Sequence, residues 1–221
     1  ITSSTVGGQQ HCPTTVTAPA DPSPLDFPVT SGNLDDWRAD ADAGGTVSTF
    51  APSGGSTTTI GPTHITSSVT LNNNQHLILT GTIHITGNLT IGNNTSIALD
   101  PSYGTNSGII IVDGTIAIAN NGTINGSGTA GSYLMFIATA AGDRSDPPAI
   151  DLKNGVDGAI LVAPYGIVHL GNTVTITQVT ADGFTMSNGA TLKYSQGFLD
   201  ARFTSGPTVG WAPIAGSWRQ D

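Results

Sequence analysis

From Thr57 onward, apolar and polar side chains alternate with a period of two, the pattern of strands that bury one face. The alternation is organised into a recurring unit. Six times the chain reads apolar–x–apolar–x–Asn, followed by Asn, Gly or Thr. The marked residues are Asn73, Asn93, Asn120, Asn154, Asn172 and Asn188, in copies such as Val69-Thr70-Leu71-Asn72-Asn73-Asn74 and Ile116-Ala117-Ile118-Ala119-Asn120-Asn121. Four positions later an apolar residue returns in five copies, as Leu77, Ile97, Ile124, Ile176 and Leu192; the copy with Lys153 has Gly158 there. Asn tolerates positive φ and bonds to its own backbone, so each pair reads as a turn between two short strands.

One such unit cannot bury its inner face alone, whereas stacked copies form a continuous core. Successive marked asparagines lie 20, 27, 34, 18 and 16 residues apart, with turn-rich insertions at 100–108 and 140–148. Near-constant turns with variable remainders predict an all-β chain, a single-stranded, right-handed β-helix. The six asparagines are expected to stack as a structural ladder of turns. Leu71, Ile91, Ile118, Leu152, Leu170 and Met186 are expected to share one buried column.

Upstream the period changes. Leu34, Trp37 and Ala41 make an apolar stripe at helical spacing. Ser31 or Asn33 is the expected cap, Asp35 and Asp36 belong to the first turn, and Gly44-Gly45 ends the helix. This short N-terminal helix is expected to cap one end of the coil. Residues 203–221, with Gly206-Pro207, Trp211 and Trp218, lack the repeat and are expected to form an irregular C-terminal strap over the other end or a flank. Residues 1–28 read as a Pro/Thr/Ser-rich leading segment or linker. Residues 29–221 read as one domain, with the helix in 29–45 and the coils in 57–200.

Composition supports strands and turns. Charged residues make up 10% of the chain, against roughly 25% in ordinary domains, and all 15 acids are Asp. The helix-forming Glu is missing and Lys occurs twice, at Lys153 and Lys193. A net charge of −9 argues against nucleic acid and anionic lipid as partners, because neutralising phosphate needs clustered Lys and Arg. Cys12, the lone cysteine, is expected to be an unpaired thiol in the leading segment. Ile1–Gly8 is neither a signal peptide nor a span, and no apolar run reaches 18 residues, so a mature product or a trimmed soluble portion is expected.

Candidate chemistry is sparse. GxSxG, Walker and CxxC patterns are absent, and no helix follows the Gly-rich stretch 122–131 to hold a phosphate. The enzymatic alternative is a polysaccharide lyase or hydrolase. It would draw on Asp100, Asp113, Asp151, Asp157, Asp182 and Asp200, with Asp113 and Asp151 the pair best placed for neighbouring coils. A hydrolase needs two carboxylates about 5–9.5 Å apart across a groove, and a lyase needs basic residues, of which the chain has six. His64, His76, His84 and His169 alternate with apolar residues and are expected to face solvent without forming a metal site. Asp143-Arg144-Ser145-Asp146 lacks the ligand spacing of a calcium loop. Thr80, Thr82, Thr86 and Thr90 hint at an ice-binding face, a second alternative, but do not recur in register on every coil. No catalytic residue, cofactor or metal is therefore expected.

Several segments taken in order resemble a known family. They are Phe27-Pro28-Val29 with Leu34-Asp35-Asp36-Trp37-Arg38-Ala39-Asp40-Ala41-Asp42-Ala43-Gly44-Gly45, Gly81-Thr82-Ile83 with Gly87-Asn88-Leu89-Thr90-Ile91, and Ser102-Tyr103-Gly104-Thr105-Asn106-Ser107-Gly108. Gly126-Ser127-Gly128, Gly131-Ser132-Tyr133, Ala163-Pro164-Tyr165-Gly166, Phe203-Thr204-Ser205-Gly206-Pro207 and Ser217-Trp218 complete the set. Together they resemble the extracellular regions of bacterial PilX-like proteins of type IV pilus assembly. The resemblance implies a cell-surface location, anchorage by an N-terminal segment outside this chain, and filament subunits as partners. It brings no catalytic residues. The expected function is a non-catalytic structural or adhesive module that contacts polysaccharide or cell-surface glycans, without membrane contact of its own.

Overall fold

The computed structural model describes residues 5–6, 9–10, 29–53, 55–141, 147–193, 202–206 and 209–211. The alternating stretches form short parallel strands that pair residue for residue with the equivalent stretch of the next unit. Val69 pairs with Leu89, Leu89 with Ile116, Ile116 with Ile150 and Ile150 with Val168. Each inward side chain thereby meets its counterpart one strand spacing away, about 4.8 Å.

The strands collect into two main sheets. The smaller has seven parallel strands: Thr57–Ile60, His76–Leu79, Ser96–Leu99, Thr123–Asn125, Asp157–Gly158, Thr175–Ile176 and Thr191–Leu192. The larger runs from Thr46–Val47 through Thr63–Ile65, Ile83–Ile85, Asn106–Val112 and Leu134–Ala138 to Ile160–Leu170. It then returns through Ile150–Leu152, Ile116–Ile118 and Leu89–Ile91 to Val69–Leu71.

This path corrects the expectation of a single-stranded β-helix. Ile160–Leu170 is an unbroken strand of 11 residues. Its first half pairs with Leu134–Ala138 and its second half with Ile150–Leu152. Two rows of short strands thus merge into one sheet of 10 strands, curled as a half-barrel. Around Ala163-Pro164-Tyr165-Gly166 the strand bends with a register shift instead of leaving the sheet in a turn. The described residues are mostly parallel sheet with one α-helix.

Side chains from both sheets meet in a single core that includes Leu77, Leu79, Ile97 and Leu99 from the smaller sheet and Ile91, Ile118, Leu152 and Leu170 from the larger. The predicted column Leu71–Ile91–Ile118–Leu152–Leu170–Met186 is in register. Its first five members are buried, but Met186 is 42% exposed. Gln178–Met186 lies at the sheet edge, where Ile160–Leu170 is its one described partner, so no described strand closes over Met186 from the far side.

The helix spans Ser31–Ala43 and buries Leu34, Trp37 and Ala41. Thr30 is the cap: it accepts from the Asn33 amide while Asn33 bonds back to the Thr30 N–H. Starting at Ser31, the helix carries Asp35 and Asp36 past its first turn, and Gly44 ends it. It does not cap an end of the stack. Leu34 and Trp37 pack on the outer face of the larger sheet, against Ile109, Ile111, Met135, Ile137, Ile160 and Val162. Strands Asn106–Val112 and Leu134–Ala138 are therefore buried on both faces, which is why they read as continuous apolar runs.

The irregular strap is also corrected within the described residues. Arg202–Gly206 pairs antiparallel with Val209–Trp211, and Arg202-Phe203 pairs parallel with Asn106-Ser107. Phe203 joins the helix-side cluster. In the leading segment Thr5–Val6 pairs with Gln9–Gln10. Cys12, the Pro-rich stretch 18–24, Asp143, Arg144, Ser145, Asp146, Asp200 and Trp218 lie outside the described residues.

Candidate functional site

The marked asparagines occupy one line of turns. The Asn73 Oδ1 accepts from the Asn93 N–H at 2.7 Å, that of Asn93 from Asn120 at 3.1 Å, that of Asn120 from Asn154 at 3.2 Å and that of Asn154 from Asn172 at 3.1 Å. In return, the N–H groups of Asn74, Asn94, Asn121, Gly155 and Thr173 donate to the main-chain carbonyl of the next marked asparagine; Asn188 receives the last of these bonds. Gly92 makes room for this line, since a Cβ there would lie 2.7 Å from the Asn73 Oδ1.

The residue after each marked asparagine has positive φ: Asn74, Asn94, Asn121, Gly155, Thr173 and Gly189. Thr173 is the β-branched exception, at φ 56°. A left-handed conformation costs an ordinary L-residue roughly 1–2 kcal/mol and costs Asn less. Thr173→Asn is therefore expected to raise the unfolding free energy by about 1 kcal/mol. Urea denaturation would show this as a higher midpoint at unchanged slope, and an unchanged or lower midpoint would refute it.

On the outer face of the smaller sheet, parallel register aligns a row of polar side chains. Thr57, His76, Ser96, Thr123, Asp157, Thr175 and Thr191 are neighbours on successive strands. All are exposed or half-buried, and His76 Nδ1 bonds to the Ser96 hydroxyl at 2.6 Å. With strands about 4.8 Å apart, the row is roughly 30 Å long. The threonines singled out in the sequence do not make an ice-like face. Thr82 is buried, and the row through Thr70 and Thr90 continues as Ala117, Asp151 and His169.

Two clusters bring titratable groups into contact. On the larger sheet Asp151, His169 and Ser187 form a relay. The His169 Nδ1 lies 2.8 Å from the Asp151 carboxylate and its Nε2 lies 3.3 Å from the Ser187 hydroxyl. Lys153 holds the other Asp151 oxygen at 2.6 Å. Burial pushes the Asp151 carboxyl up, but hydrogen bonds from Lys153 and His169 and their charge outweigh it, leaving its pKa below the ordinary value. The Ser187 N–H is engaged by the Leu170 carbonyl and cannot serve an oxyanion.

The second cluster lies where the helix meets the sheet. His64 and His84 face each other on paired strands, with ring centroids 4.2 Å apart. His64 Nδ1 is 2.7 Å from the Asp42 carboxylate, and its Nε2 is 2.8 Å from the Thr86 hydroxyl. His84 Nε2 is 2.8 Å from Asp113, whose other oxygen receives the Arg38 guanidinium at 2.6 Å. Burial pushes the Asp113 carboxyl up, and the bonds and charge of Arg38 and His84 bring it net below its ordinary pKa. The His84 side chain is 8% exposed, which corrects its expected solvent-facing position. It does point away from the main core, but the helix covers it.

Asp113 and Asp151, expected as the best carboxylate pair, are held in these separate clusters. Asp100 caps the turn at Ser102, and that residue's side-chain and backbone hydrogen bonds lower the Asp100 pKa. Sequence reasoning did not identify Asp42, Arg38 or Ser187; only the positions of their partners in the folded chain mark them. The core holds a void of about 10 Å³, at the lower limit for a water molecule. A shallow hollow of about 340 Å³ lies open by Tyr133, Asp157, Thr175 and Lys193. Among the described residues no helix is long and apolar enough to cross a membrane. Comparison with family models, curated proteins and solved structures finds no match.

Proposed function

We propose that this chain is a non-catalytic extracellular module, structural or adhesive, of a pilus-like bacterial surface protein. It contacts glycans or neighbouring surfaces through the polar outer face of the smaller sheet. The observation that carries this reading is the row from Thr57 to Thr191: short hydroxyl, imidazole and carboxylate groups held in line by parallel register. Such a row offers many weak hydrogen bonds over a broad surface. Affinity for a single sugar is low, and useful attachment arises from many copies.

Retention of glycan-coated beads by immobilised arrays and by soluble monomer tests this. Arrays should retain at least about tenfold more. The combined substitution Thr57→Lys, Thr123→Lys and Thr191→Lys should remove the difference. Equal failure of array and monomer would overturn adhesion and leave a passive spacer.

One observation favours a second reading, hydrolysis of polysaccharide esters, namely the Asp151–His169–Ser187 relay. In the same preparations, release of methanol or acetate from esterified pectin that disappears in Ser187→Ala would support it. Absence of release from the parent chain would reject hydrolysis of these esters.

A further inference from the structure

The Asp42, His64 and His84 cluster has the composition and outer contacts of a transition-metal site. One ligand atom from each lies within 4.8 Å of the other two. A pair of histidines and a carboxylate suits Zn²⁺ and its first-row neighbours, whereas Mg²⁺ and Ca²⁺ prefer all-oxygen sets.

The second, independent observation is at His84. Its Nε2 faces Asp113 at 2.8 Å, so in the neutral ring that a metal would bind the proton sits there and Nδ1 carries the lone pair. Among the described residues that Nδ1 is buried without any hydrogen-bond partner. An unsatisfied buried acceptor is destabilising unless something occupies its lone pair. Asp113 is itself oriented by Arg38 at 2.6 Å and Thr139 at 3.3 Å. A carboxylate behind the far nitrogen of an imidazole is how metal-binding histidines are held and made more basic.

His64 is arranged similarly. Its Nδ1 faces Asp42 and its Nε2 faces the Thr86 hydroxyl. With an ion bound, the His64 ring proton would sit on Nε2, where the Thr86 oxygen can accept it, leaving Nδ1 as the ligand atom.

We propose that Asp42, His64 and His84 bind one divalent transition-metal ion of the Zn²⁺ class, with Asp113 positioning His84 and a fourth position open to solvent. Asp42 comes from the last turn of the helix and the histidines from two strands, so the ion clamps the helix to the sheet. This assignment is independent of the adhesive reading.

Zn²⁺ titration of the full chain by calorimetry, with Co²⁺ absorption as a coordination probe, tests it. One ion per chain is expected, together with a rise in melting temperature. Asp42→Asn and His64→Gln should each weaken binding by at least about tenfold, and Asp113→Asn by about 10–100-fold. Asp42 is exposed, so its replacement reports on binding without threatening the fold. His169→Gln and Cys12→Ser should leave affinity unchanged. Absence of Zn²⁺ binding at about 1 mM, a weaker limit than any useful site, would overturn the proposal. So would binding indifferent to Asp42→Asn and His64→Gln, or binding lost in Cys12→Ser alone.

Discussion

Phe136→Ala is expected to lower the unfolding free energy by roughly 3–5 kcal/mol, the usual range for a buried aromatic truncation. Phe136 is fully buried at the middle of Leu134–Ala138. It pairs in register with Ile110 on one side and Leu161 on the other, both buried. Its ring points into the core between the two sheets. The paired strands on either side cannot shift inward without losing register with their own neighbours, so the cavity stays open and its full cost is felt. Chemical denaturation followed by far-UV circular dichroism should show one transition moved to lower denaturant. A loss below about 1 kcal/mol would place Phe136 outside the core, since core truncations of this size cost several times more.

Trp37→Ala is expected to cost a similar amount, roughly 3–5 kcal/mol, but in a different place. Trp37 packs on the opposite face of the same strands, with Leu34, Ile109, Ile111, Met135 and Ile137. Removing it strips most of the helix's apolar contact and exposes isoleucines that solvent-facing strands would not carry. Helix amides should then exchange much faster while those of the inner strands stay protected. The indole N–H has no hydrogen-bond partner among the described residues, so Trp37→Phe, which keeps an aromatic ring in the contact, should cost clearly less than Trp37→Ala. Equal loss of protection in helix and strands, or a Trp37→Phe variant as damaged as Trp37→Ala, would refute this local account.

Turn chemistry was the most legible part of the sequence. A residue after each marked asparagine must take positive φ, and the chain supplies Asn or Gly at five of the six such positions. The period-two strands and the helix at Leu34, Trp37 and Ala41 were legible too, because each depends on local spacing. What depends on distant pairing was not. Ala163-Pro164-Tyr165-Gly166 carries turn-like residues, yet its neighbours on both sides bind different strands and keep it inside one long strand. The helix was expected at an end of the stack because its own stripe says how much it buries and nothing of where. The available signal was in Ile109-Ile110-Ile111-Val112 and Leu134-Met135-Phe136-Ile137-Ala138, runs with no polar face to give to water. The same covering helix buries His84. Its carboxylate partner Asp113 is tied to Arg38, 75 positions away, a relation with no local trace.

The asparagine turns also bear on how such a molecule can change over generations. The asparagine line ties each turn to the turns before and after it, while the chain between turns varies from 16 to 34 residues. Duplication of one unit, such as residues 74–93, would supply a new asparagine with the same two bonds to make and a new apolar pair for the core column. The product would gain one strand in the smaller sheet and two in the larger, each widening its row by about 4.8 Å. Reach is thereby a quantity that this architecture can adjust one increment at a time, by slippage or recombination within the gene, with no need to redesign either end.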